Sequence, residues 1–146
     1  MKHLLFLLGA SCALSASLSA KTYGGFKPGK TFTFTVVEKV SRSQVDLNPS
    51  TDVPVPPGVV NLAVGSKVTF TIGKKGQLQF KKLSYPFSSG KKGYNDYLLP
   101  PADGLSESGA VYKNSKGEPK SVSLNYLKFV MKDLSRTTYN VDYKLK

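Results

Sequence analysis

The chain contains one histidine, one cysteine and no tryptophan. His3 and Cys12 both fall within the first twenty residues, so from residue 21 onward there is no imidazole and no thiol. That removes the usual general base and the commonest metal ligand. Ser-His-Asp and Cys-His nucleophile arrangements are excluded there, as are zinc sites built on His or Cys. Disulfides are excluded too, so stability has to come from an ordinary core. Acid is also scarce: nine Asp and Glu stand against 21 Lys and Arg, for a formal net charge of +12. An enzyme would have to be built from carboxylates, Ser-Lys pairs or tyrosine. A glycosidase-like pair could be drawn from Asp96, Asp103 and Glu107, but no spacing rule singles those three out. The expectation is a protein without catalytic activity, cofactor or metal site.

The opening MKHLLFLLGASCALSASLSA has the pattern of a secretory signal peptide. Lys2 and His3 give a short positive start, Leu4 to Leu8 open an apolar run, and small residues follow to Ala20. Gly9, Ser11, Ser15, Ser17 and Ser19 dilute the run too far for a retained membrane helix. Cleavage near Ala20 predicts residues 21–146 as a single exported β domain, periplasmic or extracellular, with no transmembrane segment. The segment takes only Lys2 with it, leaving twenty basic residues against nine acidic ones.

Residues 24–31, GGFKPGKT, satisfy the phosphate-loop pattern G-x-x-x-x-G-K-[ST]. That pattern has physical meaning only when a strand leads in and a helix begins at the lysine. Here TFTFTVVEKV follows, whose β-branched and aromatic alternation argues strand. The match is read as accidental.

Periodicity along the rest of the chain is of step two. Phe32, Phe34 and Val36 share one face of a first strand, and Val68, Phe70 and Ile72 one face of another. VTFTI-GKKG-QLQF reads as a hairpin, with Gly at both ends of the loop to supply positive φ and Leu78 and Phe80 completing the core face. A second hairpin is expected from GAVYK through NSKGEP to KSVSLNY, and TTYNVDYKLK as a closing strand. NYLKFVMKDL fits a short helix near 125–134, but a strand that changes phase at Tyr126 through a bulge is favoured, because a hairpin into 137–145 would close a sheet. Two stretches read as long connections, the proline-rich 46–58 and the aperiodic 84–108. The fold class predicted is all-β: a single antiparallel β-barrel or β-sandwich of about six to eight strands.

The positive charge concentrates in turns. GKKG occurs twice, at 73–76 and 90–93, and Lys113, Lys116 and Lys120 surround the later turn. Tight turns favour glycine and exposed turns favour charge, which accounts for much of this pattern. Around the second GKKG, Tyr85, Phe87, Tyr94 and Tyr97 flank Lys91 and Lys92. Aromatic faces interleaved with cations can stack on sugars or bases while the ammonium groups hold anions. Tyr85, Lys91, Lys92, Tyr94 and Tyr97, together with Lys74 and Lys75, are therefore the candidate anion- or glycan-binding residues. An anionic glycan or an anionic lipid surface is the partner class this implies. Nucleic acid is not favoured, since no module signature is present. Two other roles fit the same sequence. One is a barrel carrying an apolar ligand among Phe32, Phe34, Phe70, Phe80 and Tyr139, and the other is an envelope structural or assembly protein.

Overall fold

The computed structural model describes residues 21–132 and 134–146; residues 1–20, on which the export signal is expected, and Asp133 lie outside it. The described residues form ten strands and no helix: β1 (Thr31–Val45), β2 (Asn48–Thr51), β3 (Lys67–Ile72), β4 (Leu78–Phe80), β5 (Leu83–Tyr85), β6 (Phe87–Gly90), β7 (Tyr94–Ala102), β8 (Leu105–Lys113), β9 (Pro119–Lys132) and β10 (Ser135–Leu145). All pairings are antiparallel, in the order β5-β4-β3-β1-β10-β9-β8-β7-β6, with β2 added to β1.

The two ends of that order, β5 and β6, are halves of one segment interrupted at Pro86. β5 pairs with β4, β6 pairs with β7, and the Leu98 amide donates to the Pro86 carbonyl at 3.1 Å. The sheet thereby curls almost fully onto itself as a barrel, which leaves few free edges. The strand count of ten exceeds the six to eight read from the sequence for two reasons. Proline has no amide hydrogen, so Pro86 divides one segment into two strands, and β2 is a four-residue addition outside the ring.

β1 changes partner along its length. Thr31 to Thr35 pair with β3, whereas Val36 to Val45 pair with β10, with a register shift between Val36 and Glu38. The alternation expected from sequence is seen there: Val36, Val68, Phe70 and Ile72 are buried, while the Thr33 and Thr69 hydroxyls meet at 2.8 Å on the outside. The interior is closed by stacked rings. Phe32 lies 5.7 Å from Phe70, Phe70 5.0 Å from Phe80, and Phe80 5.5 Å from Tyr85 between centroids. Such contacts are the spacing of packed aromatics. Phe70 and Phe80 are thus packed within the core, with Phe32 and Phe34 partly buried against it and 5.7 Å apart.

Three local expectations are corrected. Residues 125–132 are the favoured strand and not a helix, but the β9–β10 register runs unbroken through Tyr126, so the expected bulge is absent. Lys128 and Val130 keep the inward phase of Tyr126, so Leu127, Phe129 and Met131 fall on the outer face. The stretch 84–108 is not structureless: it holds most of β5, all of β6 and β7, and the start of β8. Its strands escape detection because they are short or end in Pro100 and Pro101. The 46–58 stretch contains β2, and Val59 and Leu62 just beyond it are buried, where the Tyr143 hydroxyl donates to the Val60 carbonyl at 2.7 Å.

Beyond the barrel, β2, β1, β10 and β9 continue as a projecting sheet that ends in two side-by-side hairpin turns. Proline stands in β2 (Pro49) and near the end of β7 (Pro100, Pro101), where it blunts strand edges against further pairing.

Candidate functional site at the lysine-rich end of the barrel

The antiparallel registers bring several turns to one end of the barrel. Thr71 lies opposite Thr31, Tyr94 opposite Tyr112, and Lys113 opposite Pro119. The 73–77 turn, the 90–94 turn and the 113–119 turn therefore share that end with residues 21–30. Lys74 and Lys75, Lys91 and Lys92, and Lys113, Lys116 and Lys120 all belong to these turns, with Lys27 and Lys30 in the opening segment. Glu118 is the carboxylate among the turns, and Asn114 Nδ2 donates to it at 3.2 Å. Asp46 and Asp103 sit in turns at the opposite end.

Residues 21–30 bind the turns together. Tyr23 packs edge-on against Phe87 at 5.7 Å between centroids, and its hydroxyl donates to the Lys74 carbonyl at 3.4 Å. Gly76 of the first GKKG has φ of 81°, and a β-carbon there would collide with the Tyr23 ring. In the second GKKG, Gly90 packs against the Gly24 backbone. Here glycine is needed for close approach as well as for turning. The two GKKG turns thus clasp one N-terminal segment.

Asn95 holds that clasp from inside. Fully buried, it donates through Nδ2 to the carbonyls of Gly24 at 3.2 Å and Tyr23 at 3.4 Å. Its Oδ1 accepts from Lys113 Nζ at 3.0 Å, and the same ammonium donates to the Gly24 carbonyl at 3.0 Å. Lys113 is therefore solvated by fixed carbonyl oxygens.

On the outer surface, Lys91 Nζ donates to the Tyr94 hydroxyl at 2.7 Å and lies 5.0 Å from the centre of its ring. The hydrogen bond to Tyr94 raises the Lys91 pKa and keeps it charged. Tyr94 in turn packs against Tyr112 at 5.9 Å between centroids, and Tyr112 is 43 % exposed. Two shallow depressions adjoin this pair and share Gly93 and Lys113. One, of about 630 Å³, is lined by Lys92, Lys113, Asn114, Ser115, Lys116 and Gly117. The other, of about 540 Å³, is lined by Gly93, Tyr112, Lys113, Lys120, Ser121 and Lys146. Chemically this is a concave cationic surface with a phenol platform at its side, suited to hold phosphate, sulfate or carboxylate groups by point charges.

Of the residues singled out from sequence, Lys74, Lys75, Lys91, Lys92 and Tyr94 lie at this end. Tyr85 and Tyr97 do not join its surface: both are core residues, at 0 % and 1 % exposure. Their burial follows from strand phase, since Tyr97 and Asn95 share the inward face of β7. Burial pushes the Tyr97 phenol up to about 12, and burial likewise raises Tyr85, Tyr126 and Tyr143. The Tyr85 hydroxyl donates to Glu107 Oε2 at 2.8 Å and lies 3.0 Å from that of Tyr126, an interior polar link remote from the lysines. Asp96 and Glu107 are on opposite faces of the sheet, Asp96 accepting from Ser89 outside and Glu107 buried inside, so they form no common pair. Sequence reasoning missed Tyr23, Asn95 and Tyr112; the Tyr94–Tyr112 register is the signal that would have found the last. Among the described residues, no three His, Cys, Asp or Glu gather as a metal site, and no helix is long and apolar enough to cross a membrane.

No protein-family model, curated protein or solved structure matches the chain.

Proposed function

We propose that the protein is a non-catalytic, exported β-barrel module that binds anionic glycan or a similar polyanionic envelope surface through its lysine-rich end. The observation that carries this reading is the convergence of both GKKG turns and the 113–120 turn on one pole. Dispersed lysines would serve solubility equally well. A one-sided array creates a local positive potential that attracts polyanions and weakens as salt screens it. Tyr112, exposed and packed against the half-buried Tyr94, adds an apolar face against which a sugar ring can lie.

The test is a salt-gradient run of residues 21–146 over a sulfated-glycan column. A K74A/K75A/K91A/K92A variant runs beside one in which Lys39, Lys81, Lys82 and Lys132, outside these turns, become alanine. Both variants lose four charges. The reading expects late elution of the native protein, a large shift for the first variant and a small one for the second. Equal shifts would mean a diffuse charge effect, and a native protein that passes through at low salt would refute the reading.

A further inference from the structure

The opposite pole has a different chemistry. The β1–β2 turn and the β9–β10 turn lie side by side there, joined by the ladder Asn48–Val45–Thr137–Val130 and by the Asp46 amide, which donates to the Arg136 carbonyl at 3.4 Å. Large apolar side chains at these tips stand free: Leu134 is 101 % exposed, Leu47 87 % and Met131 68 %. Val45, Phe129 and Val130 behind them are also exposed. Among the described residues, six of the ten exposed large hydrophobic side chains thus fall on two adjacent hairpin tips, a concentration unlike the scattered single exposures of an ordinary surface. Lys132 and Arg136 stand at the β9–β10 tip itself, Lys132 next to Met131 and Arg136 opposite it, with Arg136 stacked 5.7 Å from the Phe129 ring, and Arg42 and Lys128 follow toward the barrel.

We propose that this twin-hairpin end is a shallow membrane-contact surface, with Leu47, Met131 and Leu134 entering the boundary between headgroups and acyl chains of a bilayer. Cations that flank and back the apolar side chains give this surface both contacts that an interface offers, hydrocarbon for Leu47, Met131 and Leu134 and phosphate for Lys132 and Arg136, whose long stems let the charged heads reach headgroup level. The two tips flank a shallow depression of about 300 Å³ lined by Gln44, Asp46, Leu47, Arg136 and Thr138, and a deformable lipid phase can follow such a surface. A second copy of the chain fits them less well. Two tips of a few residues each bury far less than the roughly 1,200 Å² of a stable interface. Strand pairing to a partner is opposed by Pro49 at the β2 edge and by Pro100 and Pro101 at the end of β7. The inference stands apart from the polyanion reading, because it concerns other residues and is driven by apolar contact.

Flotation with vesicles of uncharged phosphatidylcholine isolates the apolar contribution. Three proteins are compared: native residues 21–146, an L47S/M131S/L134N variant, and the K74A/K75A/K91A/K92A variant. Asparagine is chosen at 134 because the position has φ of 66°, which Asn tolerates better than Leu. The native protein and the lysine variant are expected to float alike, and the tip variant to lose partitioning by about tenfold or more. Since the chain has no tryptophan, L134W gives a second readout, a blue-shifted emission on vesicle addition. No flotation of the native protein, or equal flotation of the tip variant, overturns the proposal. So does sedimentation as a dimer that the tip variant abolishes without vesicles. A protein that floats but ignores sulfated glycan would leave this inference standing and refute the other reading.

Discussion

Replacing Asn95 by leucine should cost about 3 kcal/mol, and the figure follows from three contacts. Asn95 Oδ1 is one of two oxygens that Lys113 Nζ meets, at 3.0 Å. A hydrogen bond to a charged group is worth about 1.5–3 kcal/mol, and its loss leaves a half-buried ammonium short of a partner. The Nδ2 bonds to Gly24 and Tyr23, at 3.2 and 3.4 Å, are long and neutral, worth about 0.5 kcal/mol each at the weak end of the range. Leucine is close enough in volume that the cavity contribution is small. Urea unfolding is the assay: the midpoint should fall with the slope unchanged, as for a loss of native stability alone. Amide exchange supplies a local readout, because the Phe26 amide donates to the Tyr23 carbonyl at 3.1 Å and should exchange faster once the N-terminal segment is released. Aspartate at 95 separates the contributions. It keeps an acceptor for Lys113 and replaces the donors facing two carbonyls by a repelling oxygen, so it should cost less than leucine. A leucine variant within about 0.5 kcal/mol of native would refute the argument that this residue holds the end together.

Alkaline pH should unfold the protein cooperatively. Burial raises the phenols of Tyr85, Tyr97, Tyr126 and Tyr143, to about 12 in the case of Tyr97. The native state therefore holds these protons more tightly than the unfolded chain. Their stabilisation is fully present below the unfolded value of about 10 and is lost as pH rises through the native values. Tyrosinate absorbance followed with circular dichroism should show these four ionising together with loss of structure, and ionisation completed in an intact fold would contradict their burial. Glycine substitutions test the clasp: Gly76→Ala and Gly117→Ala both force alanine to φ near 80°, but only Gly76 faces Tyr23 while Gly117 faces open space. Gly117→Ala should cost about 1 kcal/mol, and Gly76→Ala should cost at least twice that by thermal unfolding; equal losses would remove Tyr23 from the account.

The sequence made the barrel legible where one face of a strand is buried and the other wet. Val68, Phe70 and Ile72, and likewise Val122, Leu124 and Tyr126, alternate cleanly because each strand has a core side. The signal failed where that condition fails. In β9 the phase of Tyr126 continues to Lys128 and Val130, but beyond the barrel neither face is buried, so alternation no longer separates apolar from polar and a helical reading competes. In 84–108 the strands are broken by Pro86 or end at Pro100 and Pro101, and periodicity needs longer runs. The lysine turns were visible as composition. Their convergence was not, because it depends on strand order, and tyrosines at 85 and 97 looked like surface neighbours of Lys91 only while the inward phase of β5 and β7 was unknown.

Turn chemistry explains why lysine and glycine occur together at 73–76 and at 90–93, but it does not explain why both turns close on the same short segment. Gly76 is there for Tyr23 and Gly90 for Gly24, so these glycines fix the position of their lysines relative to one another as well as relieving φ. Holding like charges in fixed proximity works against folding through self-repulsion, and carbonyl oxygens, not carboxylates, solvate Lys113. A carboxylate at position 95 would neutralise the cluster from within; the amide there leaves its charge outward and unspent. The apolar side chains accumulate on the hairpin tips at the other pole. Cations stand at both poles, but the hairpin tips set Leu47, Met131 and Leu134 among theirs whereas the lysine-rich end offers the Tyr94–Tyr112 pair, so salt should weaken contacts at the lysine-rich end more than contacts at the tips.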